Sequence, residues 1–291
     1  MEKVNPFGIE IEFEGPYLRE LAKSFSKTDL PVQYRPLHKE FKPEYDVWYL
    51  DSDMTVSKFL NSEYKGGELS SRIFYSLDDF QDEVHDICDF LKENGAYSSI
   101  FCSTHITTDV SKDINSYFYE ALSKIIAIYE NDITMFYMGD KFLVRKTKEK
   151  YAAGMGLRLQ KYLDRLHFTE NVNVFRVMSE TDSFGIHDGI SFYKIPIKGL
   201  MEVRYPNGSL DDKVILNDVK FTLQLLEAIR NKKFDMDYLS ELLEYVRNDP
   251  DQILNAFKLV ERPELFYEFL DIINDDGSFK EQYQKVLATR K

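Results

Sequence analysis

Residues 7–14 read Phe-Gly-Ile-Glu-Ile-Glu-Phe-Glu, and this alternation constrains the fold more than any other segment of the chain. Apolar side chains occupy positions 7, 9, 11 and 13, and carboxylates occupy positions 10, 12 and 14. Successive side chains of a strand point to opposite sides, so a period of two predicts a β-strand with one apolar face and one acidic face. Neighbouring carboxylates on that face are expected roughly 6.5 to 7 Å apart.

Two interpretations of the acidic face stay open at this point. Like charges on one buried face repel each other, and a divalent cation lying between the carboxylates would reverse that repulsion. Alternatively, the segment is an edge strand with one solvated face, which antiparallel sheets often have.

A second alternating segment, residues 201–205, carries Glu202 and Arg204 on one face. A carboxylate beside a guanidinium can hold a metal ion while the guanidinium binds a phosphate oxygen. The competing interpretation is a salt bridge without a ligand.

The segment Gly66-Gly67-Glu68-Leu69-Ser70-Ser71-Arg72 predicts a strand with Glu68, Ser70 and Arg72 on one face. Its two glycines permit a close approach of another backbone, or they form the turn of a hairpin.

Two more segments supply polar side chains. His105 shares a strand face with Ser103 and Thr107, either as a metal ligand beside carboxylates or as a structural histidine. Asp51 follows Trp48-Tyr49-Leu50, where it either faces a ligand or shapes the turn.

Strands and helices alternate in the first two-thirds of the chain, and the last third is helical. Helices are predicted from Ser76 to Gly95, from Asn115 to Ile128, within 145–165 after a loop, and from Asp212 onward, with a cap at Ser209; a long loop is predicted over 28–45. The predicted strands are 4–14, 46–51, 66–74, 97–110, 171–178, 187–196 and 199–205.

The net charge of −13 excludes some classes of partner. Nucleic-acid binders and proteins that adsorb to anionic membranes usually have a basic surface, so we expect neither partner. The sequence has no apolar run long enough for a membrane span, and we expect neither such a span nor a secretory signal. Its two cysteines form no disulfide framework, and the expected location is the cytoplasm.

Taken in sequence order, these segments resemble the amidoligase family of carboxylate–amine ligases, which has the glutamine synthetase-like fold and is related to glutamate–cysteine ligases. The resemblance spans residues 5–225, and the residues that carry it are 7–12, Trp48 with Asp51-Ser52, 67–70, Cys102 to His105, and 202–204. It implies an α+β fold in which a curved antiparallel β-sheet of glutamine synthetase-like catalytic type is flanked by helices. The expected division is a ligase-like sheet domain over 1–230 and a helical C-terminal extension over 231–291.

The resemblance also implies an activity. The family joins a carboxylate to an amine with ATP, through an acyl phosphate, and uses Mg²⁺ or Mn²⁺. The expected substrates are small-molecule or peptide carboxylates and amines, and no oligomeric state is predicted. No Gly-x-x-x-x-Gly-Lys-Ser/Thr loop is present, so the metals and arginines would hold the ATP.

Carried over residue by residue, the resemblance assigns a role to each segment. The implied metal ligands are Glu10, Glu12, Glu68, His105 and Glu202. Arg204 is the implied catalytic phosphate ligand, Asp51 is the implied catalytic residue near the amine or the substrate, and Arg72 and Ser70 are expected to bind the nucleotide. A further arginine of the family has no clear counterpart, and Arg145 and Arg158 are its candidates.

Three positions depart from the family pattern. Ser103 replaces a glycine, Thr107 replaces a second histidine, and Ser71 replaces a proline. Thr107 leaves an alternative open, a catalytically degenerate relative that binds a nucleotide or a peptide. A second alternative is a protein-interaction module in which the acidic face and the helical tail bind a basic partner.

Overall fold

The strands and helices below belong to a computed structural model that describes residues 4–35, 46–56, 58–60, 63–145, 152–163, 187–192, 194–254, 260–273 and 276–290. Its strands are β1 Phe7–Tyr17, β2 Val32–Tyr34, β3 Trp48–Asp51, β4 Lys58–Leu60, β5 Glu63–Ser70, β6 Thr104–Asp109 and β7 Leu200–Val203. Its helices are α1 Leu18–Phe25, α2 Leu77–Glu93, α3 Ser116–Phe136, α4 Gly156–Tyr162, α5 Lys194–Lys198, α6 Asp212–Arg230, α7 Met236–Asn248, α8 Pro250–Leu254, α9 Pro263–Ile273 and α10 Ser278–Thr289.

All seven strands form one sheet with β1 near its centre. The strand order is β2-β3-β5-β1-β6-β7, and β4 pairs with β5 outside this path. Every pair is antiparallel except β2 with β3, which is parallel. Because β1 has neighbours on both sides, the edge-strand interpretation of its acidic face is wrong. The predicted α+β fold with an essentially antiparallel sheet is confirmed.

Most of the predicted strands lie in this sheet, although their first and last residues differ from the prediction. The predicted strand 187–196 is wrong in part. In the predicted strand 187–196, Ile190 makes only an isolated bridge to Val203, and helix α5 begins at Lys194. Pro196 explains the difference, because proline cannot donate a ladder hydrogen bond and is tolerated in the first turn of a helix. The predicted strand 171–178 lies outside the described residues.

Two short strands were missed. Strand β2 lies inside the segment predicted as a loop, and β4 lies in a segment for which no element was predicted. Each has three residues, which is too short for a period of two to be recognised.

The apolar face of the sheet packs against α2. The ring of Phe80 on α2 contacts the rings of Phe7 and Phe74 edge-on, with centroid distances of 5.2 and 5.1 Å. Ser76 caps α2 as predicted, since its side chain accepts hydrogen bonds from two backbone amides of the first turn. The helix ends before Gly95, which has a positive φ of 79°. With its apolar side covered, the sheet presents its carboxylates on the other face.

The glycine pair at 66 and 67 lies within β5 rather than in a hairpin turn. A Cβ atom on Gly67 would lie 2.2 Å from the carbonyl oxygen of Asp51 in β3, and one on Gly66 would lie 2.7 Å from the carbonyl oxygen of Phe13 in β1. The predicted close backbone approach is confirmed, and it brings β3 and β1 tightly to the two sides of β5.

The C-terminal helices share one apolar core with the rest of the chain. Tyr129 of α3 stacks on Phe269 of α9, and Phe136 of α3 contacts Phe279 of α10. The buried cluster therefore continues across residue 230, and the domain boundary there stays a prediction.

Helix α6 begins at Asp212 as predicted, but a different residue caps it. Asp211, rather than Ser209, caps it by accepting from the amide of Lys213, while Ser209 accepts from the amide of Asp211. Among the described residues, no helix is both long and apolar enough to cross a bilayer.

Candidate functional site

Strand register brings the predicted acids together on one face of the sheet. Glu12 of β1 lies opposite Glu68 of β5, which lies opposite Asp51 of β3. One pleat along, Glu10 lies between Ser70 of β5 and His105 of β6. The alternation in residues 7–14 therefore places its carboxylates on the same face as the acids of the neighbouring strands. Residues directly opposite each other in adjacent strands point to the same side of the sheet.

The first group of possible metal ligands is Glu10, His105 and Glu202. Each offers a ligand atom within 4.8 Å of the others. His105 Nδ1 lies 2.9 Å from a carboxylate oxygen of Glu10, and its Nε2 lies 3.0 Å from the hydroxyl oxygen of Ser103. These contacts fix the ring orientation.

The second group is Glu12, Asp53 and Glu68, again with ligand atoms within 4.8 Å of one another. The backbone amide of Ser103 donates to Glu12 at 2.7 Å, and the hydroxyl of Ser70 donates to Glu68 at 2.9 Å. The two groups are adjacent, because His105 Nε2 lies 4.0 Å from a carboxylate oxygen of Glu12.

A cleft of about 230 Å³ opens over both groups. Five of the residues predicted for the site line it: Glu10, Glu12, Glu68, His105 and Arg204. The side chain of Glu202 is only 2% exposed and does not line the cleft. Carboxylates therefore form much of the wall, with a guanidinium beside them.

Two cations bind Glu202. Arg204 forms an ion pair with one carboxylate oxygen at 2.9 Å, and Lys194 of α5 donates to the other. Arg145 donates to the backbone carbonyls of Arg204 and Pro206, at 3.0 and 3.1 Å. This candidate for the missing family arginine thus holds the backbone of Arg204 instead of lining the cleft.

The acids of the site titrate differently because their neighbours differ. Burial raises the pKa of Glu68 to about 8, and the charge of Glu10 adds to this effect. Burial also raises the pKa of Glu12, although His105 and Ser103 oppose it. For Glu10, burial is outweighed by the hydrogen bond and charge of His105 and by the charges of Arg204 and Lys194, so its pKa lies below the usual value.

The donor set fits a divalent cation. Carboxylate oxygens suit Mg²⁺, and the added imidazole suits Mn²⁺. Glu68 has one hydrogen-bond donor within the described residues, Ser70, and faces two more acids. A cation lying among Glu12, Asp53 and Glu68 would balance charge that the described part of the chain leaves uncompensated.

The structure separates the remaining predicted residues from the cleft. Asp51 forms a two-point ion pair with Arg35. Arg72 lies beyond the end of β5, where it binds Glu83 of α2 and covers the ring of Phe74, with its guanidinium carbon 4.2 Å from the centroid. Neither Asp51 nor Arg72 lines the cleft, and Ser70 reaches it only through Glu68. Their roles stay predictions.

Sequence reasoning missed several residues of the site. Asp53, Thr55 and His187 line the cleft, and Lys194 reaches Glu202. Asp53 had a signal, because it follows Asp51 by two residues. Lys194 and His187 had no signal in the sequence that pointed to the site, since the segment that contains them was predicted as a strand. Arg158, the other candidate arginine, binds Asp188.

The model of a protein family described as "Putative amidoligase enzyme" matches residues 3–226. The chain belongs to this amidoligase family. The match covers β1 through most of α6 and includes both groups of acids. The resemblance inferred from the short motifs is therefore confirmed.

The other comparisons are distant. No curated protein matches the chain. Among matching solved structures is the complex between the prokaryotic ubiquitin-like protein Pup and its ligase PafA, with 10% identity and a TM-score of 0.35. The alignment covers 82% of this amidoligase-family chain and 50% of the matched chain, so it spans half the length of that solved chain.

Proposed function

We propose that the chain is an ATP- and divalent-metal-dependent carboxylate–amine ligase that forms an amide or isopeptide bond through an acyl phosphate. The observation that carries the proposal is the convergence of Glu10, His105, Glu202, Glu12 and Glu68 beside Arg204, within the region that the amidoligase family model matches.

The metal sites follow from the donor atoms. Glu10, His105 and Glu202 would hold one ion, and Glu12, Asp53 and Glu68 would hold another. When bound, Mg²⁺ or Mn²⁺ would neutralise negative charge on the phosphates. The second group includes Asp53, which adds a ligand to the five that the sequence predicts.

The protein residues supply positioning. Arg204 donates to a phosphate oxygen of ATP, and Arg145 holds the backbone from which the guanidinium projects. An oxygen of the substrate carboxylate attacks the γ-phosphorus, and ADP leaves. The amine nitrogen then attacks the acyl carbon, phosphate leaves, and the nitrogen loses a proton.

The remaining predicted residues take supporting roles. Asp51 lies opposite Glu68 in the register, and we assign it to the amine end of the site, where its pair with Arg35 sets its orientation. Ser70 orients Glu68. A contact between Arg72 and the nucleotide would require Arg72 to leave Glu83.

The substrates and the location belong to the same proposal. The substrates are small-molecule or peptide carboxylates and amines, with no nucleic acid or membrane partner. The two cysteines, Cys88 and Cys102, are unpaired and buried, which supports a reducing compartment such as the cytoplasm.

Trapping of the acyl phosphate tests the proposal without knowledge of the amine. Purified protein is incubated with ATP, Mn²⁺ or Mg²⁺, hydroxylamine and a panel of amino acids and peptides. We expect a hydroxamate and an equal amount of ADP, both dependent on the metal. Hydroxamate formation that survives Glu12→Gln would contradict the metal assignment.

A second candidate, the catalytically degenerate relative, rests on Thr107. This residue stands opposite Gly8 in β1 and Glu202 in β7, where the family pattern has its second histidine. Tight binding of ATP without ADP release would favour this candidate. The absence of any effect of ATP on the protein would favour an interaction module instead.

A further inference from the structure

Glu202 differs from the other acids of the site in being closed off by cations. Its side chain is 2% exposed, and each of its carboxylate oxygens lies beside a cation: one forms an ion pair with Arg204, and the other accepts a hydrogen bond from Lys194. Glu10 and His105 line the cleft, and each has a possible ligand atom within 4.8 Å of one on Glu202. A divalent ion that shares Glu202 with these two residues would lie beside Arg204 and Lys194, and the repulsion between like charges is relieved if one of these cations moves away.

Arg204 is the fixed cation of the two. Its amide donates to the carbonyl of Gly189 at 2.7 Å, and its own carbonyl accepts from Arg145 at 3.0 Å. Its side chain is 14% exposed and lines the cleft. The backbone on both sides of Arg204 is therefore held in place.

Lys194 is the more exposed cation of the two. It is the first residue of the short helix α5, its side chain is 30% exposed, and within the described residues its only ion-pair partner is Glu202. A lysine ammonium is a compact charge on a flexible stem of four carbons, so it can change partners without movement of the backbone.

We propose that Lys194 neutralises Glu202 in the metal-free protein and transfers to a phosphate oxygen of the nucleotide when a divalent cation binds Glu10, His105 and Glu202. This inference rests on the proposed function, because it takes ATP as the anion. It makes Lys194 a substrate-binding residue that competes with the metal until the nucleotide arrives.

The exchange couples the two ligands. Without a nucleotide, a metal ion at Glu202 lies beside an ammonium that has lost its ion pair with Glu202, and like charges repel. A bound phosphate gives that ammonium a new partner, so metal and nucleotide bind more tightly together than separately, and each raises the affinity of the other by the same factor.

The two groups of acids are then filled in different ways. Glu12, Asp53 and Glu68 have no lysine or arginine bound to them within the described residues, so they take an ion whether or not the nucleotide is present. The group containing Glu202 takes its ion only with the nucleotide.

Calorimetric titration of the full chain with Mn²⁺ tests this exchange, with and without a non-hydrolysable ATP analogue. For the wild-type protein we expect one ion without the analogue and a second ion with it. Lys194→Met should bind the second ion about tenfold more tightly without the analogue and should lose most of the response to the analogue. Lys198→Met, at the exposed end of the same helix, should behave as the wild type.

Other outcomes overturn the inference in distinguishable ways. If Lys194→Met binds Mn²⁺ no more tightly than the wild type without the analogue, while hydroxamate formation persists in the wild type, the exchange is wrong and the ligase proposal stands. If the wild type binds no Mn²⁺ and forms no hydroxamate, both fail. Lys194→Arg keeps the charge and should keep the response to the analogue, so a loss of the response in this variant also counts against the exchange.

Discussion

Buried or half-buried carboxylates occur in two parts of the molecule, on the open face of the sheet and between the helices, and they differ in which groups donate hydrogen bonds to them. Between the helices, Glu130 accepts from the backbone amides of Met155 and Gly156, at 2.6 and 2.8 Å, and from the hydroxyl of Tyr205. On the sheet, Glu68 accepts from Ser70 alone within the described residues and faces other acids.

This difference shows that burial alone does not identify a carboxylate as functional. A buried carboxylate surrounded by donors from its own chain is stabilised by the fold and needs no ligand. A group of buried carboxylates with few hydrogen-bond donors destabilises the folded protein. A cation bound among them offsets that destabilisation. The comparison therefore predicts opposite consequences for the same substitution in the two places.

Glu12→Gln should have the largest effect on activity. The substitution is nearly isosteric and removes one metal ligand. Loss of residues that merely support a ligand costs 10- to 100-fold, so we expect turnover to fall by about 100-fold or more with the fold intact. Rates of hydroxamate formation and circular dichroism spectra measure the two quantities. Full turnover in this variant would remove Glu12 from the metal site.

Glu130→Gln is the matched change between the helices. The amide keeps one acceptor oxygen, but its NH₂ group would face a backbone donor, so we expect a loss of about 3 kcal/mol in the free energy of unfolding. Turnover per folded molecule should stay at the wild-type value. Urea denaturation measures the loss, and an unchanged midpoint would mean that the donors around Glu130 contribute little.

Arg204→Lys separates a guanidinium that binds two partners from a simple positive charge. A lysine cannot contact Glu202 and a phosphate oxygen with the same fork, so we expect turnover to fall roughly 10- to 100-fold although the charge is kept. The apparent KM for ATP should rise with it.

Arg230→Lys is the control for that substitution, because Arg230 binds Asp113 through two nitrogens, at 2.6 and 2.8 Å, in a contact that does not line the cleft. It should lower stability and leave turnover unchanged. Equal effects of the two substitutions on turnover would argue against a phosphate contact by Arg204.

Glu68→Gln should have the smallest effect, with the opposite sign to Glu130→Gln. Burial and the charge of Glu10 raise the pKa of Glu68 to about 8, so the folded protein disfavours the charged form that the unfolded chain adopts near neutral pH, and a neutral amide should stabilise the metal-free protein by about 1 kcal/mol. Thermal unfolding in a chelator measures this gain. Mn²⁺ should then stabilise the wild type more than the variant, because only the wild type keeps the full ligand set. Equal stabilisation by Mn²⁺ would exclude Glu68 as a ligand.

Much of the candidate site, but not all of it, could be predicted from the sequence. Alternation in residues 7–14 was sufficient to put Glu10 and Glu12 on one face, because the side-chain period of a strand is fixed. The convergence of Glu68, His105 and Glu202 came from the family resemblance, since pairing between distant strands leaves no local signal. Arg72 was drawn into the site by extending the alternation past Ser70, where β5 ends.

The helices of the second layer could be predicted from the sequence, but the contacts between their side chains could not. Helix α2 followed from Ser76 and Gly95, whose capping chemistry is local. The donors of Glu130 come from residues 25, 26 and 75 positions away along the chain. Lys194 and His187 were missed for a related reason, since their proximity to the acids appears only in the folded protein.

The central claim is that acids from separate strands share divalent ions on one face of the sheet. A crystal structure of the protein soaked with Mn²⁺ and a non-hydrolysable ATP analogue, with anomalous scattering recorded near the manganese absorption edge, tests it most directly. We expect two manganese peaks, one bound by Glu10, His105 and Glu202 and one bound by Glu12, Asp53 and Glu68. Peaks bound elsewhere, or no peak in this cleft, would contradict the claim.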